Sequence, residues 1–108
     1  MLSYSVMVTL ALPGAIMTNK NIEDINEAIS HANINLASHQ THLGKAERND
    51  EYTATFELQT SNCKIIMRCN DFRIGNRLNG ISKYLLKKYP EKYERLKYGS
   101  RLLYYDVC

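Results

Sequence analysis

The chain has 108 residues, 44% of them hydrophobic and 23% charged, with a formal net charge of +3; this points to one small folded domain and excludes a disordered or low-complexity polymer. Its apolar opening, MLSYSVMVTLALPG, is too short to span a bilayer and lacks a basic leading region, so it reads as a strand rather than a signal or anchor. Three cysteines, Cys63, Cys69 and Cys108, make an odd count without framework spacing, as expected of reduced thiols in the cytoplasm rather than of a secreted scaffold.

Residues 2–10 alternate, with Tyr4, Val6, Val8 and Leu10 on one side and Ser3, Ser5, Met7 and Thr9 on the other, the period of a half-buried strand. Pro13 and Gly14 end it. Thr18 or Asn21 can cap a helix over residues 22–32, whose apolar stripe is Ile22, Ile25, Ala28, Ile29 and Ala32. Glu23, Asp24 and Glu27 fall in its first turns, where carboxylates favour the positive end of the helix dipole. Residues 34–48 are less regular, with Ile34, Leu36 and Leu43 among His, Ser and Thr, and are expected to form a strand.

A second alternation sets Tyr52, Ala54, Phe56 and Leu58 against Thr53, Thr55, Glu57 and Gln59, and Asn49-Asp50 before it supplies the turn of a hairpin. Thr60, Ser61 and Asn62 turn into CKIIMRC, residues 63–69, a compact apolar run predicted to be a strand. Asn70 or Asp71 caps a helix over residues 71–90, with Ile74, Leu78, Ile81 and Leu85 in one stripe and Tyr89 at its edge. Pro90 breaks it. Residues 91–98 predict another short helical turn, and RLLYYDVC, residues 101–108, a last strand with Tyr104 and Tyr105 on opposite faces.

The order β-α-β-β-β-α-β predicts a single α+β domain over residues 1–108, a small antiparallel sheet of about four or five strands with two main helices packed on it. A ferredoxin-like arrangement with one added strand is the nearest common plan. Element order of this kind carries no statement about activity. There is no internal repeat, low-complexity tract or linker.

Charge is divided along the chain. Residues 1–63 hold three Lys/Arg against seven Asp/Glu, and residues 64–101 hold eleven against three, so a partner nearing the C-terminal segment would meet a positive field. Opposite the apolar stripe of the 71–90 helix stand Arg73, Arg77, Lys83, Lys87 and Lys88, with Tyr84 among them and no acid on that face. Ordinary surface helices mix signs, because acid–base pairs one turn apart each contribute a few tenths of a kcal/mol. A face that forgoes them is expected either to be merely solvated or to await an anionic partner.

Gly80 lies on that side, where a missing side chain would let a phosphate or a partner backbone approach. Close packing on a strand is the other reading of Gly75 or Gly80, and the sequence favours neither. Lys92 and Tyr93 continue the surface, and Tyr89 and Tyr98 add to an aromatic content of eight tyrosines. Cations interleaved with aromatics suit nucleic acid, yet Tyr and Arg equally anchor protein interfaces. Tyrosines sealing a core with hydroxyls at its rim are the ordinary alternative.

The leading expectation is therefore a non-catalytic inhibitor or regulator that docks Arg73, Arg77, Gly80, Lys83, Tyr84, Lys87, Lys88, Lys92 and Tyr93 on an acidic surface of a larger protein. A nucleic-acid-binding module using the same residues is the alternative, and a homodimer through the acidic side of the first helix is a further one. The abundance of Asn, Lys, Ile and Tyr suits an AT-rich coding genome, such as many phages possess, and the site of action would then be the host cytoplasm. No membrane partner or cofactor is expected. His31, His39, His42, Cys63 and Cys69 are the available metal ligands, but their spacing lacks the short knuckles of structural zinc sites. No GxSxG, HExxH, P-loop or GxGxxG motif occurs, and a small nuclease with His39 or His42 as general base is the remaining catalytic reading.

Overall fold

A computed structural model describes residues 4–12, 16–61, 80–98 and 101–106. The predicted strand at 63–69, the first part of the basic helix with Arg73, Arg77, Ile74, Gly75 and Leu78, and the cysteines Cys63, Cys69 and Cys108 lie outside those residues. The elements are β1 (Tyr4–Ala11), α1 (Asn19–Leu36), a 3-10 turn (Ala37–His39), β2 (Thr41–Leu43), β3 (Glu47–Arg48), β4 (Thr53–Thr60), α2 (Gly80–Lys88), a second 3-10 turn (Glu94–Tyr98) and β5 (Arg101–Asp106).

The sheet runs β2-β4-β1-β5, with β3 also on β4, and every pairing is antiparallel. With β2 and β3 taken as one interrupted edge strand, this is the strand order of the split β-α-β, ferredoxin-like plan. The two stretches with the cleanest alternation, β1 and β4, form the centre, in register from Tyr4 opposite Thr60 to Ala11 opposite Thr53. Val6, Val8 and Leu10 with Ala54, Phe56 and Leu58 are buried on one sheet face against Ile25, Ala28 and Ile29 of α1 and Ile81 and Leu85 of α2. Met7 is exposed on the other face, whereas Thr9, expected on the polar side, is buried where β1 runs between β4 and β5.

Thr18, not Asn21, caps α1: its Oγ1 accepts from the Asn21 N–H at 3.1 Å. The helix is longer than expected at both ends, so Glu23 and Asp24 leave its first turn and gain little from the dipole, which acts within that turn. The expected strand over 34–48 is corrected: Ile34 and Leu36 are helical, and only Thr41–Leu43 and Glu47–Arg48 are strand. Ile34 misled because it is apolar yet 75% exposed.

Two asparagines explain both the long helix and the broken strand. Asn33 Oδ1 accepts from Leu43 N–H at 2.7 Å while its Nδ2 donates to Leu43 C=O at 2.9 Å. Asn26 repeats this on Ala46, at 2.7 and 3.2 Å. Seven residues apart, the two amides lie on one face of α1, where each acts as a strand residue would and covers backbone groups that a sheet edge would otherwise expose. Leu43 opposes Leu58 and Glu47 opposes Thr55, so the edge strand carries one residue more than β4 between these points, a bulge. The loop from β3 into β4 closes on Asp50, whose Oδ1 accepts from Tyr52 N, Thr53 N and Thr53 Oγ1 at 2.8, 2.8 and 2.9 Å. This is the turn chemistry expected there.

Candidate functional site

Helices α1 and α2 pack antiparallel, and their contacts descend as a ladder. At the first rung Asp24, 2% exposed, takes Lys92 Nζ at 2.6 Å and the Tyr93 hydroxyl at 2.6 Å. Asn21 Oδ1 lies 3.1 Å from the same hydroxyl. At the second rung Glu27 accepts from Lys88 and, at 2.8 Å, from the Tyr89 hydroxyl. At the third, no charge pair forms: His31 and Tyr84 meet ring to ring, 4.8 Å between centroids and tilted by 35°.

The acids and bases shift one another as this geometry requires. Burial alone pushes the Asp24 carboxyl up, but hydrogen bonds from Lys92 and Tyr93, with the charges of Lys92 and Lys20, outweigh it and hold the group below the usual carboxylate range. Lys88, then Tyr89, lower Glu27 by hydrogen bonding, and Glu27 in turn raises Lys88. Burial, then donation to Asp24, raises the Tyr93 phenol.

Beyond the third rung α1 carries no carboxylate, and the helices part into a groove of about 450 Å³. One wall is His31, Ala32, Asn35 and Leu36; the other is Gly80, Lys83, Tyr84 and Lys87. A side chain added at Gly80 would meet nothing within 4 Å, so this glycine faces open space rather than packing on a strand. Lys83 and Lys87 are exposed and have no acidic partner among the described residues.

The structure therefore divides the residues expected to form one binding face. Gly80, Lys83, Tyr84 and Lys87 line the groove together. Lys88, Lys92 and Tyr93 instead join α2 and the turn after it to α1, and Tyr93 is buried. The absence of acids on this face holds within α2 but is overturned in three dimensions for Lys88 and Lys92. The acidic side of α1, the expected homodimer surface, instead supplies their partners: Asp24 and Glu27 meet Lys92 and Lys88, and Glu23 pairs with Lys20 at 3.4 Å. Arg73 and Arg77 lie outside the described residues. Sequence reasoning missed His31 as a groove residue, although its place one turn after Glu27 on the side facing α2 could have marked it.

His42 is exposed in β2, opposite Gln59, and His39 closes the first 3-10 turn. Among the described residues no three His, Cys, Asp or Glu side chains are close enough to share a metal ion. No helix among them is long and apolar enough to cross a membrane. Comparison with protein-family models, with curated proteins and with solved structures gives no match.

Proposed function

We propose that this chain is a non-catalytic binding protein of the inhibitor or regulator type, acting in the cytoplasm, which docks the α1/α2 groove on an acidic surface of a larger protein. The supporting observation is the contrast between neighbouring lysines: Lys88 and Lys92 are neutralised by α1, whereas Lys83 and Lys87 line an open groove without acids among the described residues. Two like charges one helical turn apart cost a few tenths of a kcal/mol, and an anionic partner offsets that cost. A protein is favoured over nucleic acid because the Tyr84 ring is already engaged by His31 and by the Lys88 ammonium, 5.7 Å from its centroid, which leaves less of it for a stacked base.

The test is capture by cross-linking in cells, with mass spectrometry of partners bound to the wild type and to the Lys83→Glu/Lys87→Glu double variant. The proposal expects one acidic protein to be lost from the variant while the melting temperature is nearly unchanged. A partner retained by the variant, or tight low-salt binding to generic DNA or RNA in place of a protein, would overturn it.

A further inference from the structure

Resting on that reading, we infer that the groove takes a single acidic amphipathic helix of the partner, which seats one apolar side chain between Ala32 and Tyr84 and sets two carboxylates one turn apart against Lys83 and Lys87. The dimensions and charge both point to this occupant. Lys83 and Lys87 are four residues apart on α2, so their stems leave the helix about 5–6 Å apart. Glu or Asp residues at i and i+4 of a facing helix repeat that spacing. The cavity of about 450 Å³ is the size of a pocket for a small ligand or a few side chains rather than a flat interface, and helix-in-groove recognition uses such a pocket for apolar anchors at helical spacing.

The fold contains the same contact already. Glu27 of α1 meets Lys88 of α2, and Asp24 meets Lys92 in the turn that follows α2, so acids on α1 matched to lysines of the facing segment hold the two together at the upper rungs. Below Glu27, α1 offers Ala32, Asn35 and Leu36 instead, and α2 offers Gly80. The partner helix extends the ladder with the carboxylates that α1 lacks there. Asn35 adds a polar contact, and Gly80 leaves room for the approaching backbone.

The inference is tested by selecting a random twelve-residue peptide library, displayed on bacteriophage, against the intact chain. Affinities of the selected peptides are then measured by fluorescence anisotropy for the wild type, Lys83→Glu/Lys87→Glu and Gly80→Phe, the last filling the groove where the structure has open space. The expected result is a consensus with two acids three or four positions apart flanking Leu, Phe or Trp, with affinity lowered roughly tenfold or more by each variant and unmoved by the control Lys45→Glu. A consensus without acids, binding indifferent to Gly80→Phe, or no enrichment overturns it. If a cellular partner still depends on Lys83 and Lys87 while the peptides do not, the docking proposal stands and only the helical occupant falls.

Discussion

The Tyr93 hydroxyl donates to Asp24 Oδ2 at 2.6 Å, across 69 residues of chain. The bond joins the turn after α2 to the first half of α1, and it ties stability to pH at both extremes. Asp24 titrates below its ordinary value in the fold, so its contribution is complete above the unfolded value of about 3.9 and is lost as pH falls through the folded one. Tyr93 titrates above its ordinary value, so its contribution is complete below about pH 10 and is lost as pH rises through the folded value. Urea unfolding across pH should show both limbs in the wild type, a shallower acid limb in Asp24→Asn and a shallower alkaline limb in Tyr93→Phe. At neutral pH, Tyr93→Phe should cost about 1.5–3 kcal/mol, the usual worth of a hydrogen bond to a charged group.

Asn33→Ala should destabilise the fold by roughly 1–3 kcal/mol, because it leaves the Leu43 N–H and C=O without the partners that α1 supplies. Asn26→Ala should act in the same way on Ala46. Since alanine is the better helix former, a predictor that considers only α1 would expect the opposite sign. Denaturant melts decide between them, and faster amide exchange at Leu43 in Asn33→Ala would locate the loss at the sheet edge.

Neighbouring lysines of α2 should respond differently to charge reversal. Lys88→Glu places two carboxylates together at Glu27 and should lower the melting temperature, whereas the Glu27→Lys/Lys88→Glu exchange should recover part of the loss. Lys83→Glu/Lys87→Glu should leave the melting temperature nearly unaltered, since exposed charges without partners contribute little to stability. Thermal melts of the single, exchanged and groove variants make the comparison, and a drop in the groove variant equal to that of Lys88→Glu would mean Lys83 and Lys87 also serve the fold.

Much of the sheet could be read from local pattern, and the reason is physical. Val6, Val8 and Leu10, like Ala54, Phe56 and Leu58, alternate because one face of a central strand is buried, and period two records that directly. Ile81 and Leu85 recur at helical spacing for the same reason. What escaped was set by contacts between distant segments. Asn33 reads as a weak helix former until Leu43 is beside it, so local pattern ends the helix too early. Lys88 and Lys83 look alike in sequence, yet one meets Glu27 from 61 residues away and the other lies opposite an acid-free turn. Charge pattern alone does not tell these lysines apart; only the antiparallel register of α1 and α2 separates Lys88, which pairs with α1, from Lys83 and Lys87, which have no acidic partner among the described residues.

That separation makes Gly80 a point where stability and binding should diverge. A Cβ there meets no atom within 4 Å, and alanine is favoured over glycine in a helix by up to about 1 kcal/mol, so Gly80→Ala should raise the melting temperature. The added methyl also projects into the groove that Gly80 lines with Lys83 and Tyr84, so the same change should weaken partner binding. The expected pattern is thus a more stable protein with a poorer grip, read from a thermal melt beside a titration with the captured partner. If Gly80→Ala gains stability and binds as well as the wild type, the groove is not the contact surface. If it loses stability, Gly80 serves the backbone at the start of α2, and the glycine is explained by the fold alone.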